Sequence, residues 1–526
     1  MKKTQSFAVG ALVLMIASIV TKVIGAIFKI PLTNLIGADG MGVFGVAYTI
    51  YSTLFVISTA GLPIAISKMV AEANAVSNHK KIKSILKVSL LSFSVIGIFA
   101  SLIMVVFAEP LTRLVGNTLA YYAVLAIAPS LFFVSIVSII RGFYQGLSDM
   151  VPTAVSQVLE SAGKLGFGLL FAYILQTKGY SFEICAAGAI LGVTLGTLMS
   201  AIYLFIIVGK KIKEYRNIDA DEPFVPLAKS IVKMAVPVTV GSAVLSLTNL
   251  IDMFLVMNRL QSAAGFSEMM ANKLYGAYNM SVTLYNLPQT FVVAISVSII
   301  PAISAFIAKN NRVKTAETIG TAFKLASMIA FPAGMGFLIL SKPILNLLYY
   351  SKPEDVVIAA PLLSYLGIAV MFIALVSLSN SVLQAIGKIN VPVFTMLIGG
   401  LVKIAANYIL VGQPDVNING APIGTMCCYG IIAILNLIVI KKNYKEVSVI
   451  KMFSKTFISA AVMGVFAYLM INPVSTYLGQ KLGVVAVIGG CVVIYFLMLL
   501  AIGGFTKEDI LMLPKGEKIA KVLKIK

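Results

Sequence analysis

The sequence predicts an all-α polytopic membrane protein with fourteen transmembrane helices and cytoplasmic N and C termini. Of its 526 residues, 59% are hydrophobic and only 12% are charged, and the mean hydropathy is +0.98. Soluble domains carry about a quarter charged residues, so this composition is typical of a protein within a bilayer. The apolar residues form runs of about 20, the length that a spanning helix needs. Lysine and arginine concentrate in every second connection between these runs.

The predicted spanning helices follow one another along the whole chain and are separated by short polar or basic connections. In order, they are 7–30, 44–67, 86–108, 121–140, 153–176, 185–209, 231–257, 275–307, 319–341, 357–386, 391–411, 419–440, 456–471 and 483–503.

The distribution of basic residues predicts the orientation. With the N-terminus in the cytoplasm, 30 of the 41 lysines and arginines fall in cytoplasmic segments, seven fall outside and four lie within helices. Arg141, at the inner end of the fourth helix, is interpreted as an anchor. The basic, apolar N-terminus also resembles a signal peptide. We favour a retained first helix, because the helix count and the internal repeat both need it.

Weak internal similarities recur at a nearly constant offset. The stretch AEPLTRL (108–114) resembles SKPILNL (341–347), and YQGLSDMVP (144–152) resembles LQAIGKINVP (383–392). This repeat predicts two pseudo-symmetric six-helix lobes in parallel orientation, followed by two extra helices, which is a transporter design. The predicted divisions are an N-terminal lobe 1–215, a C-terminal lobe 216–445, and a segment 446–526 with the last two helices and a basic cytoplasmic tail.

The sequence lacks the motifs that are typical of several classes of protein function. The four cysteines lie in apolar runs without CxxC spacing, no nucleotide-binding P-loop or HExxH motif occurs, and the single histidine is His79. The predicted outer loops are short and have almost no paired carboxylates. We therefore expect no enzyme activity, no metal and no cofactor. Because topology explains the net charge of +21, we expect no nucleic-acid partner.

Two lysines interrupt the first apolar run. A charge within a bilayer costs on the order of 3 kcal/mol, so such residues usually face a cavity or a partner. Lys22 and Lys29 are about 20° from alignment on a helix and about 10 Å apart along its axis, with Gly25 between them. For Lys22 we favour a cavity. For Lys29 two readings stay open, a cavity-facing cation or a side chain that reaches the outer headgroups.

Other polar residues interrupt later helices. Glu160 and Lys164 form an i, i+4 pair in the favourable order, which indicates either a structural pair or a substrate contact. Asp252 has no sequence-local partner. Lys403 and Asn407 share a face of the eleventh helix. We interpret Glu160 and Lys164 as substrate-binding residues. The residues interpreted as coupling transport to an energy source are Asp252, Lys403 and Asn407.

Longer stretches resemble one family. The sequence is similar to the sporulation protein B-like and MurJ-type polyprenyl-lipid flippases of the multidrug/oligosaccharidyl-lipid/polysaccharide exporter superfamily. The matching stretches are GADGMGVFGVAYTIYSTLFVISTAGLPIAISKMVAE (37–72), RGFYQGLSDMVPTAVSQVLE (141–160), YGAYNMSVTLYNLPQTF (275–291) and SVSIIPAIS (296–304).

The resemblance implies two six-helix lobes around a cationic cavity, with alternating access and a groove for a lipid tail at the last two helices. It implies an undecaprenyl-pyrophosphate-linked substrate such as lipid II, for which Lys22 and Lys29 would supply cations.

The sequence departs from the lipid II flippase pattern at several positions. The family stretch S-R-V-L-G-F-V-R becomes TKVIGAIF (21–28), so Lys22 keeps the first charge while Phe28 stands at the second arginine. The pattern D-R-L-Y-x-L-P becomes VTLYNLP (282–288), which loses an acid–base pair. Asp252 matches the acidic ligand of a sodium site in some relatives, but Lys403 stands at a neutral ligand position. We therefore predict no sodium coupling, and proton or membrane-potential drive stays open.

The predicted function is to flip lipid II from the inner to the outer leaflet of a bacterial cell membrane for peptidoglycan synthesis. The alternatives are export of another lipid-linked oligosaccharide for capsule, teichoic acid or exopolysaccharide, multidrug export, and a non-transporting membrane scaffold. The expected partners are the lipid-linked glycan, membrane lipids and cell-wall synthesis proteins. Action in growth or in sporulation is left open.

Overall fold

The computed structural model describes residues 7–214 and 223–504, and the regular elements in these ranges are helices. Two short 3-10 helices, η1 (Thr118–Ala120) and η2 (Asn417–Asn419), accompany the α-helices. The α-helices are α1 (Phe7–Thr59), α2 (Leu62–Ala75), α3 (His79–Val106), α4 (Ala108–Val115), α5 (Tyr121–Ile127), α6 (Ser130–Gly146), α7 (Val151–Thr177), α8 (Phe182–Glu214), α9 (Phe224–Ser262), α10 (Glu268–Ala308), α11 (Arg312–Leu348), α12 (Pro353–Ala385), α13 (Asn390–Leu410), α14 (Gly420–Asn443), α15 (Val449–Leu478) and α16 (Gln480–Ala501).

These helices confirm the predicted all-α polytopic membrane fold. Within the described ranges, twelve stretches are long and apolar enough to span a membrane, and a bent pair makes thirteen. The first stretch, Leu12–Ala75, has 64 residues. As a helix it would measure about 96 Å, against a hydrocarbon core of about 30 Å. The predicted fourteen is reached if this stretch crosses twice. That count and the cytoplasmic termini stay predictions, and residues 1–6 and 505–526 lie outside the described ranges.

The helix α1 joins the first two predicted spans without a loop. Helical geometry continues through the predicted connection 31–43 except at Gly37, where φ is 67° and ψ is −171°. Such a positive φ favours glycine, and the backbone changes direction there. The side chains of Thr33 and Asn34 donate to the carbonyls of Lys29 and Ile30, at 2.8 Å and 3.1 Å. Polar side chains therefore bond within the helix beyond the apolar run on which the sequence prediction relied.

The predicted fourth span is divided into α5 and α6. The two helices are bent by 41° around Pro129. Proline has no backbone N–H and its ring interferes with the preceding turn of a helix, which accounts for the break.

The described residues pack as two compact units, which divide between Asn279 and Met280. The first unit contains a core where α2, α3, α6 and α8 meet the start of α9, with buried members such as Ile66, Ile82, Ile140, Leu204 and Ile231. Thus α9 packs with the helices that precede it. The division at 215 and 445, which rests on the internal repeat, stays a prediction.

Glycines bring α7 and α8 together in the first unit. Gly188, Gly192 and Gly196 follow one another at four-residue spacing on α8, and this small-residue pattern allows close approach of membrane helices. A Cβ atom at Gly196 would lie 2.8 Å from the backbone nitrogen of Lys164 and also against the Glu160 carbonyl. The glycine face of α8 therefore fixes the part of α7 that carries two predicted site residues.

In the second unit, α11 packs on α12 and on α15, and α15 packs on α16. Gly334 of α11 and Gly367 of α12 face each other, and a Cβ at Gly367 would lie 2.6 Å from the Gly334 carbonyl oxygen. Likewise, α13 packs on α14. This unit includes the two extra helices at the C-terminal end.

Candidate functional site

Both lysines of the first apolar run lie on α1 before the Gly37 break. The side chain of Lys22 is exposed and that of Lys29 is half-buried. A Cβ at Gly25, between them, would have no atom within 4 Å, so the helix surface is open there. Lys29 lies within electrostatic range of Lys164 on α7, and their like charges repel. The structure thus brings Lys29 next to a second predicted site residue.

Three aromatic rings surround the ammonium of Lys164. Its Nζ lies 4.6 Å from the ring centroid of Tyr48, 5.2 Å from that of Phe28 and 5.8 Å from that of Phe44. Cations within about 6 Å of a ring centroid are attracted by the electron-rich face. Phe28, at the family's arginine position, is fully buried. It helps to hold the cation of another helix.

The rings belong to a longer aromatic series on α1. Phe44, Tyr48, Tyr51 and Phe55 follow at helical spacing with centroids 5.8 to 6.0 Å apart. Phe28 joins the series from the other side of the Gly37 break, 5.9 Å from Phe44. Sequence reasoning missed this arrangement. The repeat of aromatic residues was a visible signal, but the return of Phe28 across the break was not.

Glu160, one turn before Lys164, forms an ion pair with Arg141 of α6. The Arg141 Nη2 lies 2.9 Å from Glu160 Oε2, and the side chains are 16% and 28% exposed. Arg141 also donates to the hydroxyls of Ser156 and Ser200, at 2.8 Å and 3.3 Å. Glu160 interacts electrostatically with Lys164 as well. Arg141 is therefore part of the cluster and has more contacts than the predicted anchor role requires.

Asp252 lies in a second polar group of the same unit. Its charge acts on the hydroxyl of Tyr275, which hydrogen-bonds to the side chains of Thr49 and Asn279. This contact joins α9 and α10 to α1. The polar groups near Asp252 therefore come from other helices, α1 and α10.

The two remaining predicted residues lie on α13 in the second unit. Lys403 is half-buried and Asn407 is fully buried. Gly424 of α14 leaves room for the Asn407 side chain, because a Cβ there would overlap the amide oxygen. Asn407 therefore also contributes to helix packing.

The first unit thus places Arg141 and Lys164 beside the carboxylate of Glu160, and Lys29 beside Lys164. We call these four residues the cationic cluster. A cluster with excess positive charge favours anions, and flexible ammonium groups suit phosphate oxygens. Among the described residues, no three His, Cys, Asp or Glu side chains are grouped as metal ligands would be.

Comparison with known proteins identifies the family. The profile of the polysaccharide biosynthesis protein family matches residues 7–307, more than half of the chain. The chain belongs to the polysaccharide biosynthesis protein family. A second profile, MatE, matches residues 237–409.

Two curated proteins of Bacillus subtilis are similar to this chain over nearly its whole length. Stage V sporulation protein B is 25% identical over 97% of this chain and 98% of its own length. Lipid II flippase MurJ is 24% identical over 92% of this chain and 94% of its own length.

Solved structures confirm the expected superfamily fold. Lipid II flippase MurJ in an inward closed conformation matches with a TM-score of 0.68 at 18% identity, over 94% of this chain and 97% of its own. An inward-facing MATE family transporter of the MOP superfamily matches with a TM-score of 0.62 at 16% identity, over 81% and 98%.

These relatives confirm the resemblance to the sporulation protein B-like and MurJ-type proteins that the sequence indicated. Of these relatives, MurJ is a lipid II flippase and the MATE family protein is a transporter, and neither is an enzyme. The chain described here is a multi-pass protein of the bacterial cell membrane, as predicted.

Proposed function

We propose that the protein flips a lipid-linked oligosaccharide across the bacterial cell membrane, and that its substrate is the undecaprenyl-pyrophosphate-linked cell-wall precursor lipid II. The observation that carries the proposal is the cationic cluster of the first unit. Its four groups carry three positive charges and one negative charge within apolar helices. Uncompensated cations in a membrane are costly and mark substrate or ion pathways. A pyrophosphate would neutralise this excess.

Each predicted site residue has a role in this proposal. Lys22 and Lys29 contact the pyrophosphate from α1. Lys164, fixed by its three rings, supplies a positioned cation, while Glu160 limits the excess charge and keeps binding reversible. Asp252, Lys403 and Asn407 adjust cavity charge and coupling. The membrane lipids and cell-wall synthesis proteins expected as partners are part of the same proposal.

A second candidate substrate is another lipid-linked oligosaccharide. The match to the polysaccharide biosynthesis profile favours this alternative, because that family name does not specify the glycan. The shared pyrophosphate would use the same cationic cluster, so the two candidates differ only in the sugar.

Complementation tests the proposed substrate and Lys22 together. In a strain depleted of its own lipid II flippase, we expect the wild-type protein to restore growth and Lys22→Ala to lose at least about tenfold in plating efficiency, because one phosphate contact by an ammonium is removed. Lys178→Ala is the matched control, since Lys178 is an exposed lysine just after α7.

The variants must first be compared by membrane abundance. Failure of the wild type to rescue growth would favour another glycan. Rescue by Lys22→Ala at normal abundance would contradict the role of this cation. A non-transporting scaffold is tested by reconstitution, where purified protein should move fluorescent lipid II between leaflets of a vesicle.

A further inference from the structure

The second unit has a pocket whose lining includes none of the residues proposed to carry transport. It has a volume of about 470 Å³ and lies between the ends of α11 and α15 and the starts of α12 and α16. The turn between α15 and α16 is tight, because Gly479 has a φ of 78° and Gly483 approaches Ser475 closely. These turns belong to the side that the basic residues predict to be outside. Because the predicted apolar runs end beside these turns, we expect the pocket to lie at the depth of lipid headgroups.

Two lysines give the pocket a positive charge. Lys342 of α11 and Lys481 of α16 both line it, and no carboxylate does so among the residues that the structure describes. Neither lysine forms an ion pair with any described residue. The Lys481 Nζ lies 4.7 Å from the ring centroid of Tyr350, which restricts its position. Two cations from different helices thus converge on one pocket.

Side-chain amides provide further donors. Asn346, Asn472 and Gln480 line the pocket with the two lysines. Each amide offers two N–H donors, and each ammonium offers three. Phosphate oxygens accept several such bonds at once, and the bonds from ammonium groups are the stronger ones. The chemistry of the lining therefore favours a phosphate group over a neutral headgroup.

The surface beside the pocket is apolar. Tyr477, at the end of α15, is 91% exposed, while Leu482 and Val485 of α16 are 68% and 54% exposed. Tyrosines at helix ends are typical of the membrane interface, and exposed aliphatic side chains there face acyl chains. A ligand with a phosphate in the pocket would have its hydrocarbon chain along this face.

We propose that the pocket binds the phosphate group of an anionic membrane lipid. The phosphate contacts Lys342 and Lys481, the amides complete its hydrogen bonds, and the acyl chains lie against α16. The pocket residues belong to neither the cationic cluster nor the predicted coupling set, although α15 and α16 are the helices at which the family resemblance implies a groove for the substrate's lipid tail. Free inorganic phosphate shares the headgroup chemistry but lacks the chains.

Native mass spectrometry of the purified full-length protein tests the site. The wild type should bind phosphatidylglycerol about tenfold more tightly than phosphatidylcholine. The double variant Lys342→Gln/Lys481→Gln should lose this preference. The double variant Arg113→Gln/Lys178→Gln should keep it, because it removes two exposed charges from the same predicted side but outside the pocket. Thermal unfolding of all three proteins checks their folding.

Two results would overturn the proposal. One is an unchanged preference for phosphatidylglycerol in the folded Lys342→Gln/Lys481→Gln variant. The other is displacement of phosphatidylglycerol by inorganic phosphate at an equal concentration, which would identify a soluble anion as the ligand.

Discussion

At the scale of residues, the unusual feature is how the charges within the first unit are held. The Glu160 carboxylate is paired with Arg141, and the Lys164 ammonium is surrounded by aromatic rings. In both arrangements, contacts with neighbouring side chains replace the water that a charged group loses within the membrane. These contacts also restrict the position of each charged group. A pyrophosphate would therefore meet positioned cations, and less side-chain ordering would oppose its binding.

The ion pair between Arg141 and Glu160 predicts a specific stability pattern. Arg141→Met leaves the Glu160 carboxylate partly buried without its partner and should lower the free energy of unfolding by about 2 kcal/mol. The double variant Arg141→Met/Glu160→Leu should recover part of this loss, because the unpaired carboxylate is removed, while Lys164 loses the attraction of Glu160. Thermal unfolding in one detergent measures both effects.

The chain supplies a control for that prediction. Arg113→Met breaks the Arg113–Glu109 pair, whose side chains are 70% and 59% exposed, so its effect should be below about 0.5 kcal/mol. An equal loss in Arg113→Met and Arg141→Met would contradict the assigned difference between an exposed pair and a half-buried one.

At the scale of elements, the position of α7 depends on the glycine face of α8. Gly192 faces the backbone of Gly168, and Gly196 faces the backbone of Glu160 and Lys164. A larger residue on this face would push α7 away and move the carboxylate and the ammonium together. The helix pair thus acts as a rigid support for the cationic cluster.

Gly192→Ala tests this support. We expect a loss of about 2 kcal/mol in stability, because the new methyl group would overlap the Gly168 backbone. Gly209→Ala on the same helix is the control, since a Cβ there has no atom within 4 Å. Both changes have the same effect on helix propensity, so the difference between their unfolding temperatures isolates the packing. Equal unfolding temperatures would contradict close α7–α8 packing at Gly192.

The sequence predicted the polar residues of the site better than their partners. Lys22, Lys29, Glu160 and Lys164 could be selected because a charge in an apolar run is visible locally. The pairing of Glu160 with Arg141 depends on how α6 packs on α7, and no sequence spacing encodes it. Similarly, the rings around Lys164 come from both parts of α1. From hydropathy, the sequence predicted a loop over residues 31–43. In the structure this segment is helical, and the chain changes direction at Gly37.

At the scale of the whole molecule, the distribution of basic residues predicts which connections face the cytoplasm. The apolar runs determine the all-helical membrane fold, and for that reason composition and run length were sufficient to predict it. Orientation rests on charge counts alone. It needs a separate measurement.

Cysteine labelling of intact cells provides that measurement. An impermeant maleimide should label Lys178→Cys directly and Lys309→Cys only after permeabilisation, because these exposed residues lie in connections predicted to be outside and inside. The native Cys185, Cys428 and Cys491 are buried. Cys427 is half-buried and could react with the maleimide. Both cysteine variants are therefore made in a protein that also carries Cys427→Ala, so that labelling reports only the introduced cysteine. The reverse labelling pattern would invert the predicted topology.

The Gly37 break also affects how the chain enters the membrane during synthesis. Between Lys29 and Lys68 the only charged residue is Asp39, two residues after the break. The insertion machinery therefore meets a helical hairpin whose tip has no lysine or arginine to retain it in the cytoplasm. The lysines that follow, at 68 and from 80 to 87, then hold the other end back. If the predicted orientation holds, we expect the Gly37 break to let the two halves of α1 insert together, with the connection around Gly37 crossing the membrane and the lysines after it staying in the cytoplasm.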